Sequence, residues 1–322
     1  MQLPPLLRHA IDDALEGVAL ADLAAASDAL SRRYRGEVHD GRWHLADERA
    51  ALAYLAARLP ATYAAVRATF AAVAGVRPDF APVTALDAGA GPGTALWAAA
   101  DCWSGLADVL LIEGSDAIRA WGERLAAAAG PARIVWRAGD LGRGIDDCGP
   151  RDLVTLAYVL GEIAPERRGA VVDRLWQLTG DVMVVVEPGT PAGWQRIVAA
   201  RAQLMAAGAA ILAPCPHAAP CPLATPDWCH FAARVARSRR HREVKNADVP
   251  WEDEKFIYLA AARTPGKAVV SRVIAPPRMA SGRVMLKLCR SDGSADERLV
   301  TRREGAAFKA ARRTDWGGEF GF

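Results

Sequence analysis

Apolar positions in the first eighty residues recur near a 3.6-residue period. They run through LLRHAIDDAL and ADLAAASDALSRRY, then through ADERAALAYLAARLPATYAAVRATFAAVA, with the turn-like stretch RGEVHDGRWH between. This pattern predicts helices, with a break or kink at Pro60, which has no backbone N–H to donate. From residue 83 the period changes. PVTALDAG, ADVLLIEGS, ARIVWRAGDL, RDLVTLAYVLGEI and DVMVVVEPGTPAG read as apolar strands. The helical runs TALWAAADCW, DAIRAWGERLAAAA, PERRGAVVDRLWQLT and GWQRIVAARAQLMAAG alternate with them. Such alternation predicts an α/β, doubly wound parallel sheet. KFIYLAAAR and AVVSRVIA read as two further strands, an antiparallel pair at the sheet's end. RVMLKLC and ERLVTRRE read as a small β appendage before a polar tail. The expected division is a helical domain over 1–80, a sheet domain over 81–263, and a basic appendage over 264–322.

Hydrophobic residues make up 52% of the 322 and charged residues 24%, the balance of a soluble globular protein large enough for more than one core. No run reaches the ~18 apolar residues a spanning helix needs, so no membrane partner is expected. The opening MQLPPLLRHAIDDALEG lacks the pattern of a secretory signal, and Asp12, Asp13 and Glu16 count against an Arg-rich transit peptide. A cytoplasmic location is expected, in a reducing compartment where clustered cysteines favour metal binding over disulfides. The net charge of +3 conceals a division. Residues 231–322 carry 20 Lys+Arg against 11 Asp+Glu (+9), and the first 230 carry 20 against 26 (−6). Arginines 237, 239, 240 and 242, the pair Arg302-Arg303, and Lys309 with Arg312-Arg313 form the clusters. A nucleic-acid partner would leave such an electrostatic footprint, and so would an ordinary solvated surface.

Two stretches carry chemistry. In LDAGAGPG, glycines at alternate positions sit between a strand and a helix, where the backbone turns sharply and directs N–H groups at a ligand. A dinucleotide fold would use G-x-G-x-x-G instead. The spacing resembles the first motif of class I S-adenosylmethionine-dependent methyltransferases. By that resemblance Asp87, Gly89, Gly91 and Gly93 line the cofactor's methionine end, and Asp140 contacts the adenine edge. Glu113, at the end of the next strand, is placed to accept from ribose hydroxyls. The strand ending LAYVLGEI carries no base-methylating tetrad of the N/D-P-P-Y type. Glu162 and Glu187 are equally well explained as sheet-end structure, so no catalytic base is assigned.

The second stretch, PCPHAAPCPLATPDWCHF, places Cys215, Cys221 and Cys229 within fifteen residues in the spacing C-x5-C-x7-C. Thiolates this close suit zinc, an iron–sulfur cluster or Cu(I), and Pro-rich backbone loses little further entropy on wrapping a ligand. Cys289 is the only cysteine downstream and the candidate fourth ligand. The alternative is that all four are buried small hydrophobes.

These stretches, with LVTLAYVLGEI, VVVEPGTPAGWQRI, DWCHFAARVAR and RRTDWGGEF, resemble the Rsm22 family over most of the chain. These are small-ribosomal-subunit methyltransferase-like proteins of bacteria and mitochondria. The resemblance implies a class I methyltransferase, Rossmann-like fold that binds S-adenosylmethionine. It also implies a [4Fe–4S] cluster on Cys215, Cys221, Cys229 and Cys289, for which zinc is the alternative, and binding to small-subunit rRNA in ribosome assembly. Outside the ribosomal complex a monomer is expected. Two other readings stay open: an active rRNA methyltransferase with a structural cluster or zinc, and an iron or redox sensor coupled to translation. Cys102 and Cys148 fall outside the pattern, and His217 and His230 are read as neighbours rather than ligands. Trp228, Trp251 and Trp316 are candidate stacking faces for RNA, with core packing the alternative for each and the preferred one for Trp228.

Overall fold

The computed structural model describes residues 1–36, 40, 43–146 and 148–322. Residues 37–39, 41 and 42, half of the expected turn, lie outside the described residues. Helices α1 (Pro5–Ala14), α2 (Leu20–Arg35), α3 (Glu48–Ala57) and α4 (Leu59–Val76) form the N-terminal block. Pro60 does not kink a continuous helix. It sits in the first turn of α4, where a missing N–H costs no intrahelical bond, and the chain breaks at Arg58. The Asp47 side chain accepts from Ala50 N–H at 2.9 Å and starts α3.

The sheet strands are β1 (Thr84–Ala88), β2 (Asp108–Glu113), β3 (Arg133–Ala138), β4 (Arg151–Ala157), β5 (Thr179–Pro188), β6 (Ala210–Ala213), β7 (Phe231–Ala236) and β8 (Trp251–Ala262). Helices α5 (Thr94–Cys102), α6 (Asp116–Ala126), α7 (Pro165–Gln177) and α8 (Pro191–Ala206) connect the first six, and α9 (Arg239–Val244) lies between β7 and β8. Strand order is β3-β2-β1-β4-β5-β8-β6, with β7 added to β8. The pairs from β3 through β5 are parallel, and β8 runs antiparallel between β5 and β6. This is the doubly wound sheet of class I methyltransferases, with its order reversing at β1/β4, where such folds bind ligands. Val182–Val186 are all buried, as expected of a strand covered on both faces. Leu55, Leu59, Tyr63 and Phe70 of the helical block join the same core as the sheet.

The sequence pattern placed AVVSRVIA at the end of this sheet; its strand β9 (Ser271–Val273) belongs to a second one. There it pairs with β11 (Arg283–Arg290), which also pairs with β10 (Arg278–Ala280) and β12 (Ala295–Thr301). A 3-10 turn (Arg302–Glu304) and α10 (Ala306–Ala311) follow. Val273, Val284, Leu286, Leu288, Val300, Phe308 and Phe320 form a separate core. Alternation along β11 turns Val284, Leu286 and Leu288 into that core, and Lys287 and Cys289 to the other side. Lys287 there ion-pairs with Asp227 of the cysteine loop. The strands that do finish the first sheet, β6 and β7, are short: AILA is too brief to show a period, and FAARVA carries an exposed arginine.

Candidate functional site

At the carboxyl ends of β1, β2 and β4, Gly89, Gly91 and Gly93 adopt φ of +68°, +54° and +76°. Side chains rarely take these values, so the loop is glycine by necessity. A Cβ at Gly89 would come 2.5 Å from Val159 Cγ2, which packs the turn after β4 onto the loop. Glu113 accepts from Gly91 N–H and from Ser115 N–H, each at 2.8 Å, and so braces the loop from β2. Burial raises its pKa against those backbone bonds. Asp87 is buried and accepts from Thr155 Oγ1 at 2.5 Å, while its other oxygen has no partner among the described residues. Burial, with the Glu113 charge behind it, pushes Asp87 up to about 7. Asp140 accepts from Gly142 N–H at 2.9 Å. With Gly114, Gly139, Arg143 and Trp43 it lines an open pocket of ≈ 590 Å³ beside Glu113.

The helical block covers this end of the sheet. Ser115 Oγ donates to Leu45 O at 2.6 Å. Arg58 ion-pairs with Glu254 of β8 at 3.1 Å, and Tyr158 donates to the same carboxylate at 2.9 Å. Tyr158 follows β4 with φ +62°, a left-handed conformation that is strained for a tyrosine. Glu187 is fully buried, accepting from Leu160 N–H at 3.0 Å and Arg196 Nε at 2.6 Å, so it is sheet-end structure. Glu162 is half-buried at the same end. Burial and the charges of Glu113 and Glu187 push it up to about 8.

The cysteine loop leaves β6 and returns into β7, and β11 carries Cys289 against it. Cys289 Sγ lies 3.3 Å from His217 Nε2. Burial holds the Cys229 thiol well above the ordinary range, and Cys215, Cys221 and Cys289 all add to that rise. The loop thiols and Cys289 therefore lie in one region of the fold. Burial pushes Cys289 up to about 12, again with Cys215 and Cys221 contributing. Among the described residues, no group of three or more His, Cys, Asp or Glu side chains is poised to hold a metal ion. Cys102 ends α5 and Cys148 is a half-buried loop thiol. His230 stacks on Trp228 and meets Trp316 edge-on, so both tryptophans pack around the loop; Trp228 also donates to Gly189 O at 3.0 Å. Trp251 is 43% exposed, with the Arg234 guanidinium over its ring.

Two arginines that sequence reasoning passed over border the loop. Arg201 Nη2 donates to His217 O at 2.7 Å and to Ala219 O at 2.9 Å. Arg272 Nε donates to Pro214 O at 3.1 Å, and its Nη1 to Gly317 O at 3.0 Å. A signal existed for the first. Arg201 falls in phase with Ile197, Ala200 and Leu204 on the buried face of α8, where an arginine needs a reason.

The basic run at 237–242 is not a free surface. Arg237 pairs with Glu252 at 2.9 Å and Arg239 with Glu243 at 2.8 Å. Arg240 donates to Leu15 O and Val18 O beyond the end of α1. The open positive charge lies further on: Arg302, Arg303, Lys309, Arg312 and Arg313 are exposed and, among the described residues, have no carboxylate partner.

A family profile described as "Mitochondrial small ribosomal subunit Rsm22" matches residues 48–321. The chain is 30% identical over 289 residues to the human "Ribosome assembly protein METTL17, mitochondrial", covering 83% of this chain and 61% of that protein's length. Among solved structures it is similar to a magnesium protoporphyrin IX methyltransferase from Synechocystis with bound SAM (18% identity, TM-score 0.42, 77% of this chain and 100% of that one). It is also similar to a putative RNA methyltransferase from Pyrococcus horikoshii (12% identity, TM-score 0.39, 61% and 80%). The expected cytoplasmic location is corrected by these relations, since the family description and the human relative are both mitochondrial. That expectation rested on the composition of the first residues, which carries no information about where homologous chains act.

Proposed function

The chain belongs to the Rsm22 family, and from that premise we propose that it binds S-adenosylmethionine and small-subunit rRNA and acts in ribosome assembly. In this reading a [4Fe–4S] cluster on Cys215, Cys221, Cys229 and Cys289 fixes the RNA-binding appendage to the methyltransferase-like body. The observation that carries it is the position of Cys289. It lies sixty residues beyond Cys229 in sequence, on a strand of the second sheet, yet its buried thiol faces the loop. Four cysteine thiols are the donor set that such a cluster takes.

The donor set fits the cofactor as well. The partnerless oxygen of Asp87 would take the methionyl ammonium, and Glu113 the ribose hydroxyls. S-adenosylmethionine would supply a methyl group on a sulfonium. The chain's own part is to orient it with the glycine loop and to exclude water with the helical block. Tyr158 stands at the strand end where an acceptor would approach, and its hydroxyl is engaged by Glu254. The reading therefore requires the cofactor to be bound, not consumed.

Small-subunit RNA binding by the anaerobically purified protein, compared with Cys289→Ser, tests the proposal. Weakened binding together with a mobile appendage is expected; undiminished affinity with an intact C-terminal fold would contradict it. Methyl incorporation into the same RNA, above a no-protein control, would favour an active enzyme.

A further inference from the structure

Arg201 and Arg272 are each 5% exposed. Among the described residues Arg201 has no carboxylate partner at all, and Arg272 has only Glu319 at 3.8 Å, which is 43% exposed. Each also keeps a buried nitrogen without a hydrogen-bond acceptor, Arg201 Nε and Arg272 Nη2. A guanidinium withdrawn from water needs an anion. The cysteine loop is what lies beside them: Arg201 donates to His217 O and Ala219 O, and Arg272 donates to Pro214 O, next to Cys215. Both arginines work against the rise that burial imposes on the Cys215 and Cys289 thiols. Strand pairing sets Arg272 on β9 opposite Cys289 on β11. Lys287, another cation near the loop, is already neutralised by Asp227. With four neutral thiols, the two buried positive charges face only the half-exposed Glu319, which reaches Arg272 alone.

We propose that Arg201 and Arg272 are positioning residues that neutralise a dianionic tetrathiolate centre and hold it in the loop. Four thiolates on a [4Fe–4S]²⁺ core, or on Zn²⁺, carry a net charge of −2, which two guanidiniums cancel. Arg272 does more than balance charge. Its bonds to Pro214 O and Gly317 O join the start of the cysteine loop to the C-terminal tail, so the centre and the tail share one anchor. This inference rests on the four-thiolate reading, and its test separates the two.

The test follows metal and sulfide retained per chain during anaerobic incubation with a chelator. It compares the wild type with Arg201→Gln, Arg272→Gln, Arg201→Lys and Arg272→Lys, with circular dichroism as the fold control. Removing an outer partner of a metal ligand weakens binding about 10–100-fold, and the Gln variants are expected to lose the centre faster by a similar factor. The Lys variants keep the charge and are expected to stay near the wild type. Where a Gln variant does not fold, its Lys counterpart decides. Lys variants that fold yet lose the centre as fast as Gln variants, or Gln variants that retain it as long as the wild type, would overturn the proposal. A wild type that holds neither iron nor zinc would overturn the four-thiolate reading itself, and with it the anion these arginines are said to face.

Discussion

Replacing Arg312 and Arg313 together by alanine should weaken RNA binding in a way that salt exposes. Both are exposed, and neither has a carboxylate partner among the described residues, so the folded state loses little; a change within about 0.5 kcal/mol is expected. The RNA complex loses two phosphate neutralisers. If all five open cations contact single-stranded phosphates, log K falls against log salt with a slope of about −0.7 per contact, or about −3.5 in total. Between 50 and 200 mM salt the wild type would then lose about 100-fold in affinity, and the double variant, with a slope of about −2.1, about 20-fold. Fluorescence anisotropy on a small-subunit RNA fragment across that range reads both numbers. Arg239→Ala is the control, since Arg239 is equally exposed but already paired with Glu243. An unchanged slope in the double variant, or an equal fall in the control, would refute assignment of the RNA face to the 3-10 turn and α10.

Gly89→Ala should reduce S-adenosylmethionine affinity at least about tenfold by calorimetry, because a left-handed backbone costs alanine about 1–2 kcal/mol and its Cβ meets Val159; wild-type affinity would contradict the loop assignment. Arg58→Met should destabilise the fold by about 3 kcal/mol in urea, since it leaves the largely buried Glu254 carboxylate without its cation beside Tyr158. The pH dependence has a definite sign. Asp87 and Glu162 have folded pKa values of about 7 and about 8, above their unfolded values, so their contribution is complete below the ordinary carboxylate range. It is lost as pH rises through those values, at up to about 1.4 kcal/mol per pH unit for each group. Glu162→Gln should flatten the fall in stability between pH 5 and 8 measured by denaturation, and an unchanged profile would show that Glu162 does not carry that charge burden.

The alternation of strands and helices was legible in the sequence because a strand buried on both faces reads as an unbroken apolar run, as Val182–Val186 does. The glycine loop was legible for a different reason: only glycine takes three positive φ values in five residues. What period and composition could not show is where charge goes after folding. The arginines at 237–242 looked like an RNA surface, yet Arg237, Arg239 and Arg240 are spent on Glu252, Glu243 and the carbonyls beyond α1. Arg272 looked ordinary in a chain rich in arginine, and what both it and Arg201 do depends on carbonyls brought from distant segments. β6 was missed because four residues are too few to show a period. The approach of Cys289 to the loop could be guessed from cysteine count, but its geometry follows from β11 turning alternate residues to opposite faces.

The most direct test of the central claim is the iron content and absorbance of the anaerobically purified full chain beside its Cys289→Ser variant. The account predicts a brown protein with broad absorbance near about 400 nm and about four irons per chain, both lost in the variant. A colourless wild type without bound iron, or a variant that keeps the full iron and colour, would contradict it.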